Sequence, residues 1–133
     1  MKLIYKPGDQ KIYTHKVCAE DFASFHGKIV HRVYATYAMA RDAEWAGRLF
    51  VLDMKDETEE GIGTFVHLVH HAPAFEGEEV TFTATLQSIN GNEIVCNIEA
   101  KSGSKLVATG STGQKIVSLA KLQSHFERMR IKQ

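Results

Sequence analysis

Val33-Tyr-Ala-Thr-Tyr-Ala-Met-Ala-Arg-Asp-Ala-Glu-Trp-Ala-Gly-Arg-Leu-Phe-Val-Leu52 is the stretch on which the fold turns. Its apolar residues recur at helical spacing, which predicts one helix over about residues 34–54 with Thr36 as its N-cap. They cover well over half of the circumference. Charge is confined to Arg41, Arg48 and Lys55 on one side and Asp42 and Asp53 on another. Such a helix is expected to be wrapped by other elements. Glu44 interrupts the pattern. At about 100° per residue, Val33, Tyr37, Ala40, Gly47 and Val51 project within about 60° of it. A carboxylate beside an apolar stripe either finds a partner or has its titration shifted. Arg48 at i+4 and Arg41 at i−3 offer a local ion pair. The competing reading is a carboxylate reserved for acid, base or nucleophilic chemistry.

The wrapping is sought in the flanking segments. Residues 10–18 alternate and carry β-branched and aromatic side chains, a first strand; residues 19–32 read as irregular, broken at Gly27. After the acidic linker at 55–61, strand patterns run over 62–72, 78–89, 93–101 and 105–118. Val80, Phe82, Ala84 and Leu86 alternate with Thr81, Thr83 and Thr85, and Ile94, Cys96 and Ile98 form the next inward row. Asn90-Gly91 signals a two-residue hairpin, Ser102-Gly103-Ser104 the following turn, and Leu119 to Met129 a short terminal helix. One strand, one long helix and four strands in an antiparallel meander make an α+β roll, expected as a single domain over residues 1–133. Periodicity admits the hotdog and cystatin-like rolls alike.

Composition narrows the functional classes. Sixteen basic and sixteen acidic residues among 133 leave no global charge to attract nucleic acid or an anionic membrane. No apolar run approaches a membrane span and the N-terminus lacks a signal-peptide core, so a cytoplasmic protein is expected. Cys18 and Cys96 lie outside any metal-ligand spacing, and Cys96 falls within a strand as a buried thiol. His67, His70 and His71 share one strand, but His70 faces opposite to the other two, which argues against a metal site. On that alternation His70 points with Ile62, Leu68 and Ala72.

Ordered motifs then carry a resemblance. Gly27-Lys-Ile-Val-His-Arg-Val-Tyr-Ala-Thr-Tyr37 followed by Trp45 resembles the hotdog thioesterases. In their 4-hydroxybenzoyl-CoA branch an aspartate three residues before the glycine carries the chemistry; Ser24 holds that position here, and Asp21 lies three residues earlier. Val33-Tyr-Ala-Thr36, Glu44-Trp45, Ile62-Gly63-Thr64 and Val69-His70 are similar to fluoroacetyl-CoA thioesterase and its relatives, from about residue 11 to residue 122. The family's arginine on the last strand falls on Gln114. Its aromatic lid is replaced by the shorter Ser24–Val30 segment, with Val30 at the gating phenylalanine.

The resemblance implies a hotdog fold and an acyl-CoA thioesterase with Thr36, Glu44 and His70 as its catalytic group and no cofactor or metal. Glu44 would attack or activate water, and His70 would orient a neighbour and serve the thiolate leaving group. Gly63 would admit the acyl group, with Tyr37, Val30, Phe65 and Gln114 near the substrate. The residues by themselves allow plainer roles: a capping threonine, a core histidine, a strand bulge at Gly63, core packing for Tyr37 and Trp45. The resemblance further implies a homodimer or dimer of dimers, bringing His70 and Gly63 of one chain towards Glu44 of the other. Lys115, Lys121, Arg128 and Arg130 are candidates for the CoA phosphates. Two alternatives stand beside hydrolysis: a hotdog acyl-CoA lyase or hydratase, and a non-catalytic acyl-CoA or acyl-carrier binding module.

Overall fold

The computed structural model describes residues 1–131, and its long helix α1 spans Thr36–Met54. Before it come β1 (Gln10–Lys16), a 3-10 turn (Ala19–Asp21), β2 (Phe22–Phe25) and β3 (Lys28–Tyr34). After it come β4 (Glu59–His70), β5 (Glu79–Asn90), β6 (Glu93–Ser102), β7 (Lys105–Ser118) and α2 (Leu119–Ile131). Five strands form one antiparallel sheet in the order β1-β5-β6-β7-β4, while β2 and β3 pair separately. The rows expected to face inward do so: Val80, Phe82, Ala84, Leu86, Ile94, Cys96 and Ile98 are buried against Met39, Ala43, Ala46, Phe50 and Met54 of α1. The small residues let helix and sheet approach closely. A Cβ on Gly47 would stand 2.5 Å from Thr112 Oγ1.

Several expectations change. The four strands after the helix are not a simple meander: β5, β6 and β7 are, but β4 lies at the far edge beside β7, and β1 takes the place beside β5. Adjacency in sequence is a preference that a crossover can override. It leaves β4 with one unpaired edge and with Phe65, Val66 and Val69 exposed. The segment read as irregular contains the β2–β3 hairpin. His26 and Gly27 turn it with φ of 53° and 77°, the positive pair of a type I′ turn, and two register shifts hide its alternation. The β5–β6 loop is Gly91-Asn92, one residue later than predicted, since Asn90 pairs with Glu93.

The helix start also moves. Ala35 is the N-cap, has no side-chain cap, and leaves Thr36 as the first helical residue. Nor is α1 fully wrapped. Tyr37 is 48% and Trp45 41% exposed, so neither is the core residue expected. Glu44 stands at the margin between this open sector and the buried one.

Candidate active site

Glu44 is not ion-paired. Arg48 Nη2 bonds Glu60 Oε1 of β4 at 2.9 Å, and Arg41 Nη2 lies 2.9 Å from Asp21 and from Asp42. Among the described residues no cation comes within salt-bridge range of Glu44, and no buried side-chain oxygen lacks a partner, so its carboxylate is served by solvent. The local pairing fails because β4 brings a competing carboxylate to Arg48 across the helix–sheet contact. Glu44 turns towards β4 instead. Its Oε1 lies 2.7 Å from the point a Cβ on Gly63 would occupy. Glu44, Gly63, Thr64, Phe65 and Val66 line one recess open to solvent.

A bulge in β4 makes this possible. The register against β7 shifts between Gly63 and Phe65, inserting Thr64. An extra residue inverts the alternation of faces, so Gly61 and Gly63 face α1 on one side of the bulge and His70 on the other. Ile62, expected on the face of His70, is turned away by the same irregularity. Gly63 is thus both a bulge residue and the floor beneath a carboxylate.

At the start of α1, Thr36 Oγ1 lies 3.0 Å from His70 Nδ1, and His70 Nε2 lies 2.8 Å from Ala72 O. A carbonyl oxygen only accepts, so Nε2 carries the hydrogen. The neutral ring therefore presents Nδ1 as an acceptor, and the Thr36 hydroxyl donates to it. The first intrahelical bond runs from Met39 N to Ala35 O. With alanine at the N-cap, the amides of Thr36, Tyr37 and Ala38 have no intrahelical or side-chain acceptor among the described residues, and they stand beside that hydroxyl. Such a terminus favours negative charge.

The two clusters do not meet within one chain. Thr36 and Glu44 are eight residues apart, about 12 Å along the helix axis. Gly63 and His70 are seven apart, about 20 Å along a strand. Gly63 belongs with Glu44 of its own chain, which corrects the expected grouping of Gly63 with His70.

The other expected site residues are dispersed. Tyr37 holds the hairpin to the helix: its hydroxyl lies 3.1 Å from Ser24 N, Phe22 O and Ser24 O, accepting from the amide and donating towards the carbonyls. Val30 is exposed in the hairpin's irregular stretch. Phe65 shares the recess rim, but its ring lies across Gly113 on the sheet face away from α1. Gln114 is 3% exposed and donates from Nε2 to the Glu44 backbone carbonyl at 3.1 Å, so it fixes the helix below the recess. His67 and His71 are exposed, with His71 Nε2 2.7 Å from Thr109 Oγ1.

A second polar cluster was not foreseen. Asp42 and Asp21 are buried, bridged by Arg41; Tyr34 donates its hydroxyl to Asp42, and His15 Nε2 lies 2.7 Å from Asp21 Oδ2. Burial alone would raise the Asp21 carboxyl, but the Cys18 amide, Arg41 and His15 outweigh it and hold it well below the usual range. Burial first, and then the bond to Asp42, push the Tyr34 hydroxyl far up. His15, Asp21 and Asp42 bring donor atoms within 4.8 Å of one another, a spacing that suits a metal ion. Arg41 already occupies the cation's place between the two carboxylates, so the set is an ion-pair knot. Asp42 sits in the buried sector of α1, about 160° from Glu44, and that position was the available signal. Asp21, committed to this knot, is not a displaced version of an acid at Ser24.

The family model described as FlK, fluoroacetyl-CoA-specific thioesterase, matches residues 17–120. A comparison with curated proteins returns no match. Among solved structures, a hypothetical Thermus thermophilus protein described as a thioesterase superfamily member is 33% identical, with 96% of this chain and 94% of that chain covered and a TM-score of 0.90. A hot-dog-like protein from Thermanaerovibrio acidaminovorans is 25% identical over 93% of each chain, with a TM-score of 0.85. A phenylalanine-to-alanine mutant of FlK is 21% identical over 94% and 97%, also with a TM-score of 0.85. The α+β roll is therefore a hotdog fold.

Proposed function

The chain belongs to the FlK, fluoroacetyl-CoA-specific thioesterase, family, and from that membership we propose that it hydrolyses a small acyl-CoA thioester at a site shared between two copies of itself. The observation that carries the reading is Glu44: a carboxylate on a mostly apolar helix, without an ion partner, held over a glycine. In this reading the unpaired edge of β4 and its exposed Phe65, Val66 and Val69 meet the same edge of a second copy across a two-fold axis. Antiparallel pairing of the two edges runs them in opposite senses. The Thr36–His70 end of one chain then approaches the Glu44–Gly63 end of the other, closing the gap that one chain leaves.

Each group has a task. The uncapped amides at the start of α1 stabilise the oxyanion as the thioester carbon becomes tetrahedral. Glu44 of the partner removes a proton from the attacking water, or attacks itself to form an acyl anhydride that water then cleaves to free the acid and restore the carboxylate. The C–S bond breaks, and the thiolate leaves as the thiol on taking up a proton. His70 fixes the Thr36 hydroxyl beside the reacting carbonyl. A threonine-to-serine mutant of FlK has been solved with acetyl-CoA, and a phenylalanine-to-alanine mutant with fluoroacetate and CoA. Selectivity for fluoroacetate does not transfer, because Gln114 and Val30 replace the residues the resemblance associates with it.

The test is thiol release from short, branched and aromatic acyl-CoAs by wild type, Glu44→Gln and Glu44→Ala, with sedimentation to give the oligomeric state. Turnover by a dimer, abolished in both variants, is expected. Turnover untouched by both substitutions, or by a strict monomer, overturns the reading. An unsaturated product without thiol would mark a lyase, and binding without turnover a carrier module.

A further inference from the structure

Charge in this neutral chain is unevenly placed. The β2–β3 hairpin, residues 22–34, holds Lys28 and Arg32 with His26 and His31, and contains no carboxylate. Lys28 to Arg32 are exposed in an unbroken run, so β3 stands off the body on both of its faces. Phe25, Ile29 and Val30 lie among these charges and are each at least half exposed. Among the described residues no carboxylate comes within salt-bridge range of Lys28 or Arg32. Apolar side chains set between unpaired cations suit a partner surface that is acidic. The start of β4 has the opposite sign: Asp56-Glu57-Thr58-Glu59-Glu60 carries four carboxylates in five residues. Glu59 is taken by the Met1 amino group, and Glu60 by Arg48 and Lys55. Asp56 and Glu57 are exposed. Asp56 accepts from Thr58 through Oδ1, and Glu57 has no partner among the described residues.

Within one chain the two segments stand at opposite ends of β4, about 36 Å apart along the strand. The hairpin's base is tied beyond the far end, where Tyr34 N donates to Ala74 O at 2.9 Å, while the acidic turn leads into Glu59. The hairpin also hangs on the open side of α1. Tyr37, whose hydroxyl holds it, is seven residues from Glu44 and within about 20° of it around the helix. A two-fold axis brings the two ends together. Antiparallel pairing of β4 edges that sets His70 opposite the partner's Gly63, as the proposed shared site requires, sets residue 74 opposite the partner's Glu59 four steps further on. Arg32 stands about 7 Å along β3 from Tyr34, and Glu57 about 7 Å along the chain from Glu59, so the opposite charges come level. We propose that the β2–β3 hairpin docks on the acidic 56–60 turn of a second copy of this chain, with Lys28 and Arg32 against Asp56 and Glu57. The two-fold makes this clasp twice.

The clasp rests on the shared-site reading for its register, and the experiment keeps the two apart. Sedimentation equilibrium on the full chain gives the dimer dissociation constant at low salt for wild type and for two charge reversals, Lys28→Glu with Arg32→Glu and Asp56→Lys with Glu57→Lys. Circular dichroism checks that each folds, and Glu57→Lys alone stands in for the second reversal, since Asp56 also bonds Thr58. Each reversal is expected to weaken the dimer about tenfold or more, and added salt should shrink the difference. Mixing the two reversed proteins in equal amounts should restore dimers to within about threefold of wild type, because every clasp in the mixed dimer again joins opposite charges. Reversals without effect, or a mixture no tighter than either reversed protein, overturn the clasp. The same holds if reversal of the hairpin leaves the dimer intact and abolishes only retention on phosphatidylglycerol vesicles. Unaffected dimers that still hydrolyse an acyl-CoA would leave the hydrolase reading standing without the clasp. Restoration by mixing, in a protein that turns over no acyl-CoA, would do the reverse, and a wild type that is monomeric at every concentration would remove both.

Discussion

Asp42 and Glu44 stand two residues apart on α1 and lead opposite lives. Asp42 is 4% exposed and fully engaged, accepting from the Tyr34 hydroxyl and from Arg41 beside Asp21 and His15. Glu44 has no side-chain partner among the described residues and looks onto a glycine. The helix supplies the same backbone to both; what differs is the surrounding layer. On the Asp42 side β1, the 3-10 turn and β3 converge and provide donors. On the Glu44 side β4 provides Gly61 and Gly63, which fill no space, and sends its own Glu60 to Arg48. A buried carboxylate that is saturated with donors holds structure together, whereas one left with open valences is available to a ligand.

The sharpest way to break this comparison is to remove each carboxylate and measure both activity and stability. Glu44→Ala should lower kcat/KM by about a thousandfold, as expected for loss of a general base or nucleophile. Its unfolding free energy in urea should stay within about 0.5 kcal/mol of wild type, because no bond is lost. Asp42→Ala should do the reverse in kind. It strands the buried Tyr34 hydroxyl, and an unpartnered buried donor costs about 1–3 kcal/mol in urea unfolding; the half-exposed Arg41, still bonded to Asp21, adds little. Equal destabilisation by both substitutions would mean that Glu44 is as structural as its neighbour.

The contrast was only half legible in the sequence. Strand alternation at Val80–Leu86 and helical spacing from Val33 were decisive because burial of one face writes itself into the residue order. The ordering of Thr36, Glu44, Gly63 and His70 could also be read along the chain. Which carboxylate Arg48 prefers could not, since Glu60 is twelve residues away and arrives only with β4. Gly63 admits a strand bulge in the sequence, but a glycine alone does not say that the pairing shifts there, and strict alternation therefore puts Ile62 on the wrong face. The Asp42 knot joins four separate segments, and its one local trace was an acid in the buried sector of α1. The β2–β3 hairpin hid behind a His-Gly turn and two register shifts.

Acid should expose the saturated side next. Asp21 has a folded-state pKa held below its unfolded value, near 3.9 for a free aspartate. Between the two values the unfolded chain binds more protons than the folded one. The stabilisation is therefore complete above the unfolded pKa and is lost as pH falls through the folded one. Urea midpoints measured from pH 6 downwards should fall beneath about pH 4, with a shallower slope in Asp21→Asn. A slope unchanged by that substitution would remove Asp21 from the knot's energetics.

The smallest effect tests the open side most directly, through two glycines that a Cβ would crowd for different reasons. At Gly47 the added atom would stand 2.5 Å from the buried Thr112 Oγ1, between helix and sheet. Gly47→Ala should therefore lose about 1–3 kcal/mol of stability by overpacking. At Gly63 the obstacle is Glu44 Oε1 at 2.7 Å, the free end of a flexible side chain. The carboxylate can swing aside at little cost, so Gly63→Ala should unfold within about 0.5 kcal/mol of wild type. Displacing it by an ångström should nonetheless lower kcat/KM about tenfold, since attack depends on its position. If Gly63→Ala loses stability as Gly47→Ala does, then β4 packs on α1 at that point as tightly as β7 does, and Glu44 is confined by packing after all.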